Sequence, residues 1–388
     1  MTIFNTHISG QIKRELANNY LNGPKQSNAR ITIWDHEDVV NHIGSLDAHA
    51  EYLLNPKRML VEDKLSTQLT KKEEEKKRDI LIAKLRAAYN EENVTVFLGA
   101  GVSKDAGVPL WGELTSKLLL RMISERLKDN DFENEHLQEI WELAYQNQED
   151  SPLTQMRYIR TAFDDDEYYD LVREVLYENK PDSRSALLNA IVRLSTPRRN
   201  HIGVKSIVSY NFDDLLEQNL EQAGVDYKTI YREQDMPDRN RLSIYHVHGF
   251  LPKEPEDGES QDFNLVFSEE DYHRVYRDAY GWSNLVQLNA FRDTTCLFLG
   301  CSLTDPNMRR LLDVASRTEE KARHYAVLKR KKLELPPKDE RVKQGILEEY
   351  QRIDNNIRES YYESLGINII WVDRYDEIPG ILKGLRGT

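Results

Sequence analysis

A parallel, Rossmann-like α/β sheet with helices on both faces is the fold class that this sequence predicts, and three strand-to-helix units predict it. VTVFLGA (94–100), KSIVSYN (205–211) and TTCLFLG (294–300) are short β-rich runs, each followed by apolar residues at helical spacing or by a helix-start signal. Their apolar residues run on without alternating. Strands buried on both faces by crossover helices have this pattern.

Taken in order, residues 1–90 contain few apolar runs and end in KKEEEKKRDILIAKLRAAY, where Ile80, Ile82, Leu85 and Tyr89 form one helical stripe. This reads as a polar, helical N-terminal extension. A solvated helix, a partly disordered arm and an assembly surface all fit it. The domain that follows spans 91–388. After Pro109, Trp111, Leu114, Leu118 and Met122 recur at helical spacing, and residues 112 to about 200 offer helical patterns and acidic stretches such as FDDDEYYD (163–170) but no strand. They are expected to form a helical insertion. The second unit runs into a helix from near Asp213, with Leu216 and Leu220 on one face and Gly224 as its stop. FNLVFS (263–268) reads as a strand. In the third unit Asp305 and Pro306 suit the N-cap and first turn of a helix. A helical pattern through Val342, Ile346, Tyr350, Ile353 and Ile357 then runs to Gly366, and INIIWVD (367–373) supplies a last strand that closes the sheet.

The 388 residues can bury one large α/β domain plus accessory helices. Hydrophobic residues make up 39% and charged residues 31%, and no apolar run approaches the roughly 20 residues that a membrane span needs. The first residues lack an apolar stretch after a basic start, so no secretory signal is read and a cytoplasmic location is expected. A net charge of −13 opposes general attraction to phosphate backbones, and no direct nucleic-acid partner is expected. Cys296 and Cys301 flank LFLG and read as buried thiols. No Cys/His cluster completes a zinc site, so no metal is expected.

Chemistry concentrates in GAGVSKDAGVP (99–109). Gly99 and Gly101 let the backbone after a strand turn tightly and approach a ligand, and the loop can aim its amides at phosphate. An ordinary dinucleotide fingerprint would place a third glycine where Lys104 stands, which disfavours a generic dehydrogenase. By itself, Gly-x-Gly after a strand is also compatible with a merely structural turn.

The whole segment, however, resembles the sirtuin signature: Gly-Ala-Gly, a serine two positions on, then Gly-Val-Pro. The resemblance continues in chain order. SYNFD (209–213) is similar to the Asn-x-Asp element, His248-Gly249 to the catalytic His-Gly pair, and GCSLTDP (300–306) to the later Gly-x-Ser loop. It covers about 94–376, leaving residues 1–90 and the helical insertion outside. Carried onto this chain, it implies that Gly99, Ala100, Gly101 and Ser103 lie along the phosphates and adjoining ribose of NAD, and that Asn211 and Asp213 lie near the nicotinamide ribose. It also implies that His248 faces the ribose hydroxyls and that Gly300, Ser302 and Asp305 hold the adenosine side. Asp305 and Asn307 are also suited to capping the following helix. Asn211 and His248 are the implied catalytic residues, since an imidazole with a pKa near neutrality can take a proton from a ribose hydroxyl or a water.

Departures from the sirtuin pattern bear on the reaction. Leu110, Trp111 and Gly112 stand where deacylases carry Asp-Phe-Arg, and Trp111 suits either an aromatic cap or the core. Only residues 250–262 separate Gly249 from FNLVFS, and none is a cysteine, so the four-cysteine zinc module of deacylases is missing there. The resemblance then points to the sirtuin-like NADases of bacterial anti-phage defence, with NAD as substrate and water as acceptor. SEEDYHRVY (268–276) is also similar to that group, and reads equally as an amphipathic helix with Tyr272 and Tyr276 inward. A non-catalytic NAD or ADP-ribose binding module and an NAD-dependent deacylase or ADP-ribosyl transferase are the alternatives. A chain without a sensor domain implies regulation by assembly: a homo-oligomer, and a HerA-type ring ATPase as partner.

Overall fold

The middle of the main sheet is a strand that could not stand anywhere else. All five residues of Val94–Leu98 are buried, and the strand hydrogen-bonds to a parallel neighbour on each side. The computed structural model describes residues 70–127, 139, 151–182, 184–254, 263–317, 322–332 and 344–387, with the two-residue strands β1 (Ile3–Phe4) and β2 (Trp34–Asp35). It divides into two compact units, residues 1–68 with 352–360, and residues 69–351 with 361–388. In the first unit β1 and β2 pair in parallel.

The second unit holds a seven-stranded, wholly parallel sheet. Its strands are β3 (Val94–Leu98), β4 (Ser206–Ser209), β5 (Tyr227–Ile230), β6 (Leu242–His246), β7 (Thr295–Leu299), β8 (His324–Lys329) and β9 (Ile367–Val372), in the order β5-β6-β4-β3-β7-β8-β9. The chain builds outward from β3 through β4 on one side, then crosses back to β7 on the other. The carboxyl ends of β3 and β7 therefore flank a topological switch point, where open α/β sheets leave a crevice.

Successive side chains of a strand point to opposite faces, and both faces here are dry. Val94, Val96, Leu98, Leu297 and Leu299 belong to one apolar cluster, and Phe97, Val208, Cys296 and Phe298 to another. This two-sided burial is why the strands carry unbroken apolar runs. Cys296 and Cys301 are free and buried, and burial pushes the Cys296 thiol up to about 12.

Twelve helices are described: α1 (Lys71–Asn90), α2 (Gly101–Lys104), α3 (Trp111–Leu127), α4 (Pro152–Ala162), α5 (Asp165–Leu176), α6 (Ala186–Ser195), α7 (Leu215–Gln222), α8 (Glu269–Arg277), α9 (Trp282–Asp293), α10 (Pro306–Ser316), α11 (Gln344–Ser364) and α12 (Ile378–Arg386). Between β3 and β4 every helix or strand described is a helix, α2 to α6. None of the helices among the described residues is long and apolar enough to cross a membrane.

α1 starts at a capping box, with the Glu73 amide donating to Thr70 Oγ1 and the Thr70 amide donating to Glu73 Oε2. It buries Leu81, Leu85 and Tyr89, each stabilising the fold by roughly 2 kcal/mol. The Tyr89 hydroxyl donates to the Leu194 carbonyl at 2.9 Å, so this helix is built into the core. The expected stripe is shifted: Ile80 is exposed and Leu81 takes its place, because 81, 85 and 89 repeat every four residues and 80 lies about 100° round the helix.

Two other expectations change. FNLVFS forms no strand, since Asn264 has φ of +48° and only single bonds join the segment to its neighbour, Phe250 N–H to Phe263 O and Val266 N–H to His248 O. INIIWVD does form the last strand, β9, which ends the sheet as its edge, with Asn368 and Trp371 only half-buried. Tyr276 lies at the surface, whereas Tyr272, one helical turn earlier, is buried. Val342 lies outside the described residues, and Ile346, Tyr350 and Ile357 of α11 are exposed.

Candidate active site

Four loops at the carboxyl ends of four adjacent strands make the site. The strands are β6, β4, β3 and β7, and the loops carry His248, Asn211 with Asp213, the glycine segment, and Gly300 to Asp305. Motifs scattered over two hundred residues of sequence meet because parallel strands all deliver their following loops to one edge.

The glycine loops of β3 and β7 are locked together by backbone. Gly99 N–H donates to Leu299 O and Gly101 N–H donates to Gly300 O, each at 3.0 Å. A Cβ on Gly99 would lie 2.7 Å from Gly300 O, and one on Gly300, where φ is +63°, would lie 2.4 Å from the Val102 nitrogen. These contacts are backbone and cannot swing aside. The amides of Val102 and Ser103 are likewise spent, on the carbonyls of Gly99 and Ala100. The expected cradle of free amides is therefore not formed by Gly99, Gly101, Val102 or Ser103. Their amides hold the loops to each other.

Ser103, brought in by α2, connects the glycine loop to the end of β4. Its hydroxyl donates to Asp213 Oδ1 at 3.0 Å and accepts from Asn211 Nδ2 at 3.2 Å. Leu215 N–H also donates to Asp213 Oδ1. The direction of this chain matters. An ionised carboxylate only accepts, so the serine proton points at Asp213, and the Asn211 atom facing Ser103 has to be the donor. Asn211 Oδ1 is thereby turned away, and it is buried without a hydrogen-bond partner. Burial raises the Asp213 carboxyl to about 6, with the bonds from Ser103 and Leu215 working the other way.

Behind Asn211 stands a pair that the sequence reading did not single out. His246 Nδ1 lies 2.9 Å from the Asn211 carbonyl, and its Nε2 lies 2.7 Å from Glu217 Oε1. Burial disfavours a charged imidazole at His246, yet the Glu217 carboxylate outweighs it and raises the pKa. The pair fixes the backbone of Asn211 from beneath. Its signal was the spacing His-x-His before Gly249, read only for its second member.

His248 is 4% exposed. Its neighbour Gly249 has φ of +97°, and a Cβ there would meet Phe263 O at 2.5 Å, so the close return of the chain needs glycine. Aromatic rings surround the imidazole: Tyr210 at 4.8 Å, Tyr272 at 5.8 Å and Trp111 at 6.4 Å between centroids. Trp111 also packs edge-on against Phe267, so it serves the core and the site together. Burial lowers the pKa of His248, opposed by the Asp305 carboxylate. His248 Nδ1 is buried with no hydrogen-bond partner. An unmade hydrogen bond of this kind costs roughly 1–3 kcal/mol, and two of them, on Asn211 and His248, mark a place where a polar ligand belongs.

The loop after β7 splits its residues. Asp305 caps α10 by accepting from Met308 N–H at 2.6 Å, and its other oxygen accepts from the Tyr272 hydroxyl and lies 3.7 Å from His248 Nε2. Asn307 is buried and donates to Asn284. Ser302 is exposed and turned to Thr304, 2.6 Å between hydroxyls, away from the buried network. Among the described residues no group of three or more His, Cys, Asp or Glu side chains is placed to hold a metal ion.

Two comparisons with known proteins find similarity over this part of the chain. Residues 205–355 match the family model of the SIR2-like domain, a span that includes Asn211, Asp213, His248 and Asp305 and begins after the glycine loop. A curated relative, the NAD(+) hydrolase ThsA of Enterococcus faecium, is 23% identical over 312 residues, which cover 79% of this chain and 58% of that protein. The chain thus spans less than two thirds of the relative's length.

Proposed function

We propose that the chain, similar over residues 205–355 to the SIR2-like domain, is a sirtuin-like NAD glycohydrolase, converting NAD and water to ADP-ribose, nicotinamide and a proton. The observation that carries the reading is the pair of orphaned buried atoms, Asn211 Oδ1 and His248 Nδ1, at the ends of the nearby strands β4 and β6. As nicotinamide departs, the ribose gains positive character, and a carbonyl dipole such as that of Asn211 stabilises it in a site shielded from water. Asn211 Oδ1 also serves to hold the attacking water. His248, neutral because burial lowers its pKa, accepts the proton from a ribose hydroxyl or that water. The Ser103–Asp213 pair sets the rotamer of Asn211. Ala100, Gly101 and Ser103 border the phosphates, with Gly99 and Gly300 shaping the floor and Ser302 at the open adenosine side.

The test is chromatography of NAD incubated with the pure chain, alone and with a HerA-type ATPase partner. Nicotinamide and ADP-ribose are expected, and their absence in both conditions overturns the reading. Asn211→Ala and His248→Ala are expected to slow release by about 100-fold or more while leaving folding intact. A near-normal rate in either removes that residue from the mechanism. Because the base form of His248 is the active one, kcat/KM falls as pH drops through its lowered pKa. The acidic limb is therefore expected below the ordinary imidazole value of about 6.5. A limb above that value assigns it to another group.

The relative's name supports NAD as the substrate, and the sirtuin resemblance supports a role in anti-phage defence. An enzyme that destroys NAD has to be restrained until needed, which supports control by homo-oligomerisation and by a ring ATPase.

A further inference from the structure

Asp305 is placed to do more than cap a helix. A capping carboxylate needs one oxygen for the helix amide, and Oδ1 takes that role at Met308. Oδ2 turns inward, accepts from Tyr272 on α8, and faces His248 Nε2 at 3.7 Å. Tyr272 is itself buried, so its hydroxyl fixes the carboxylate from the far side. The opposite nitrogen of the same imidazole, Nδ1, is the one left without a partner.

We infer that Asp305 and Tyr272 are positioning residues for His248: the Tyr272 hydroxyl locks Asp305, and Asp305 holds the imidazole proton on Nε2 so that the Nδ1 lone pair is free to take a proton. The inference rests on the proposed hydrolysis for its rate effects, though not for its geometry. A carboxylate behind a histidine does this work by selecting the tautomer and steadying the imidazolium as it forms. In the resting protein 3.7 Å is long for a hydrogen bond, and such bonds tighten when substrate fills the site. No proton leaves the pair; the proton accepted at Nδ1 comes from the ribose hydroxyl or water and is released to solvent after turnover. The ionisable groups facing the imidazole are Asp305 from the α10 cap, Tyr272 from α8 and Tyr210 from the end of β4. Burial and Asp305 raise the pKa of Tyr272, and burial raises that of Tyr210, so both phenols stay neutral.

Two variants separate positioning from capping. Asp305→Asn retains an oxygen for the Met308 amide and removes the charge. Tyr272→Phe retains the ring and removes the lock. The readouts are the imidazole 15N shifts of His248 followed by NMR against pH, and NAD hydrolysis against pH with thermal unfolding as the control. In the wild-type protein the Nε2–H tautomer is expected. Asp305→Asn is expected to lose that preference, to lower the acidic limb and the NMR pKa by about one pH unit, and to reduce kcat by about 100-fold with little change in KM. Tyr272→Phe is expected to reduce kcat by about tenfold, the rate equivalent of one hydrogen bond to a charged group. A folded Asp305→Asn protein with the same tautomer and the same His248 pKa overturns the inference, whether or not NAD is cleaved. A changed tautomer and pKa in a wild-type background that releases no nicotinamide upholds the positioning and overturns the hydrolase reading alone.

Discussion

Asp213 is a carboxylate kept where carboxylates are costly. Its acid form is favoured by folding, since the buried group rises to about 6 from an ordinary 3.8. The sign follows: the folded protein binds this proton more tightly than the unfolded chain, so the penalty on folding grows as pH rises from about 4 to 6 and is complete above that. Asp213→Asn, which can still accept from Ser103 and Leu215, is therefore expected to gain stability on the order of 2 kcal/mol at pH 8 and little at pH 4.5, measured as the change in Tm at each pH. An equal change at both values counts against a buried charge at this position. Retaining a costly group is expected where it directs something else, and here it directs the Asn211 amide. Asn211, Asp213 and His248 were legible because each sits in a short signature beside an apolar run. Tyr272 reads from the sequence as a helix residue and Asp305 as a helix cap or a contact on the adenosine side, and their meeting over His248 depends on α8 and α10 lying together, which no spacing in the chain encodes. Glu217 is hidden for the same reason, whereas His246 leaves a trace in the His-x-His spacing before Gly249.

At the scale of elements, the glycine loops behave as one part in two pieces. Gly300→Ala places a methyl against the Val102 nitrogen and forces a positive φ on alanine, so a loss of about 3 kcal/mol or more is expected. Tm and nicotinamide release are expected to fall together; a variant with unchanged Tm shows that the crossing is loose. The first half of this lock was visible as Gly-Ala-Gly, and the second as a glycine ending TTCLFLG. That they touch follows from β3 pairing with β7, a neighbour relation set by the whole sheet. The strands that escaped notice have physical excuses. β5 is YKTI at an edge, where one side faces water and polar residues intervene. β6, LSIYH, carries the buried His246, and β8, HYAVLK, begins on a buried histidine, so their hydropathy is diluted by polar side chains that the fold satisfies individually. FNLVFS misled in the opposite direction: its apolar residues are buried, and the positive φ at Asn264 denies it a ladder.

For the molecule as a whole, the parallel α/β class was readable because three buried strands announce themselves by composition, whereas their order across the sheet was not. The proposed homo-oligomer is expected to give a mass above that of one chain by light scattering at micromolar concentration; a single-chain mass throughout removes assembly of identical copies as the means of control. The order of strands also sets a clock. Thr95 of β3 pairs with Ser206 on one side and with Cys296 on the other, so the first strand of the sheet to leave the ribosome waits for both partners. At about 5–20 residues per second, the wait for β7 lasts on the order of tens of seconds. Throughout it Asp305 is unmade or unplaced, and His248 has no carboxylate behind it. If the chain hydrolyses NAD as proposed, one still being synthesised is thus harmless to the NAD pool around it, and so is one broken off before β7.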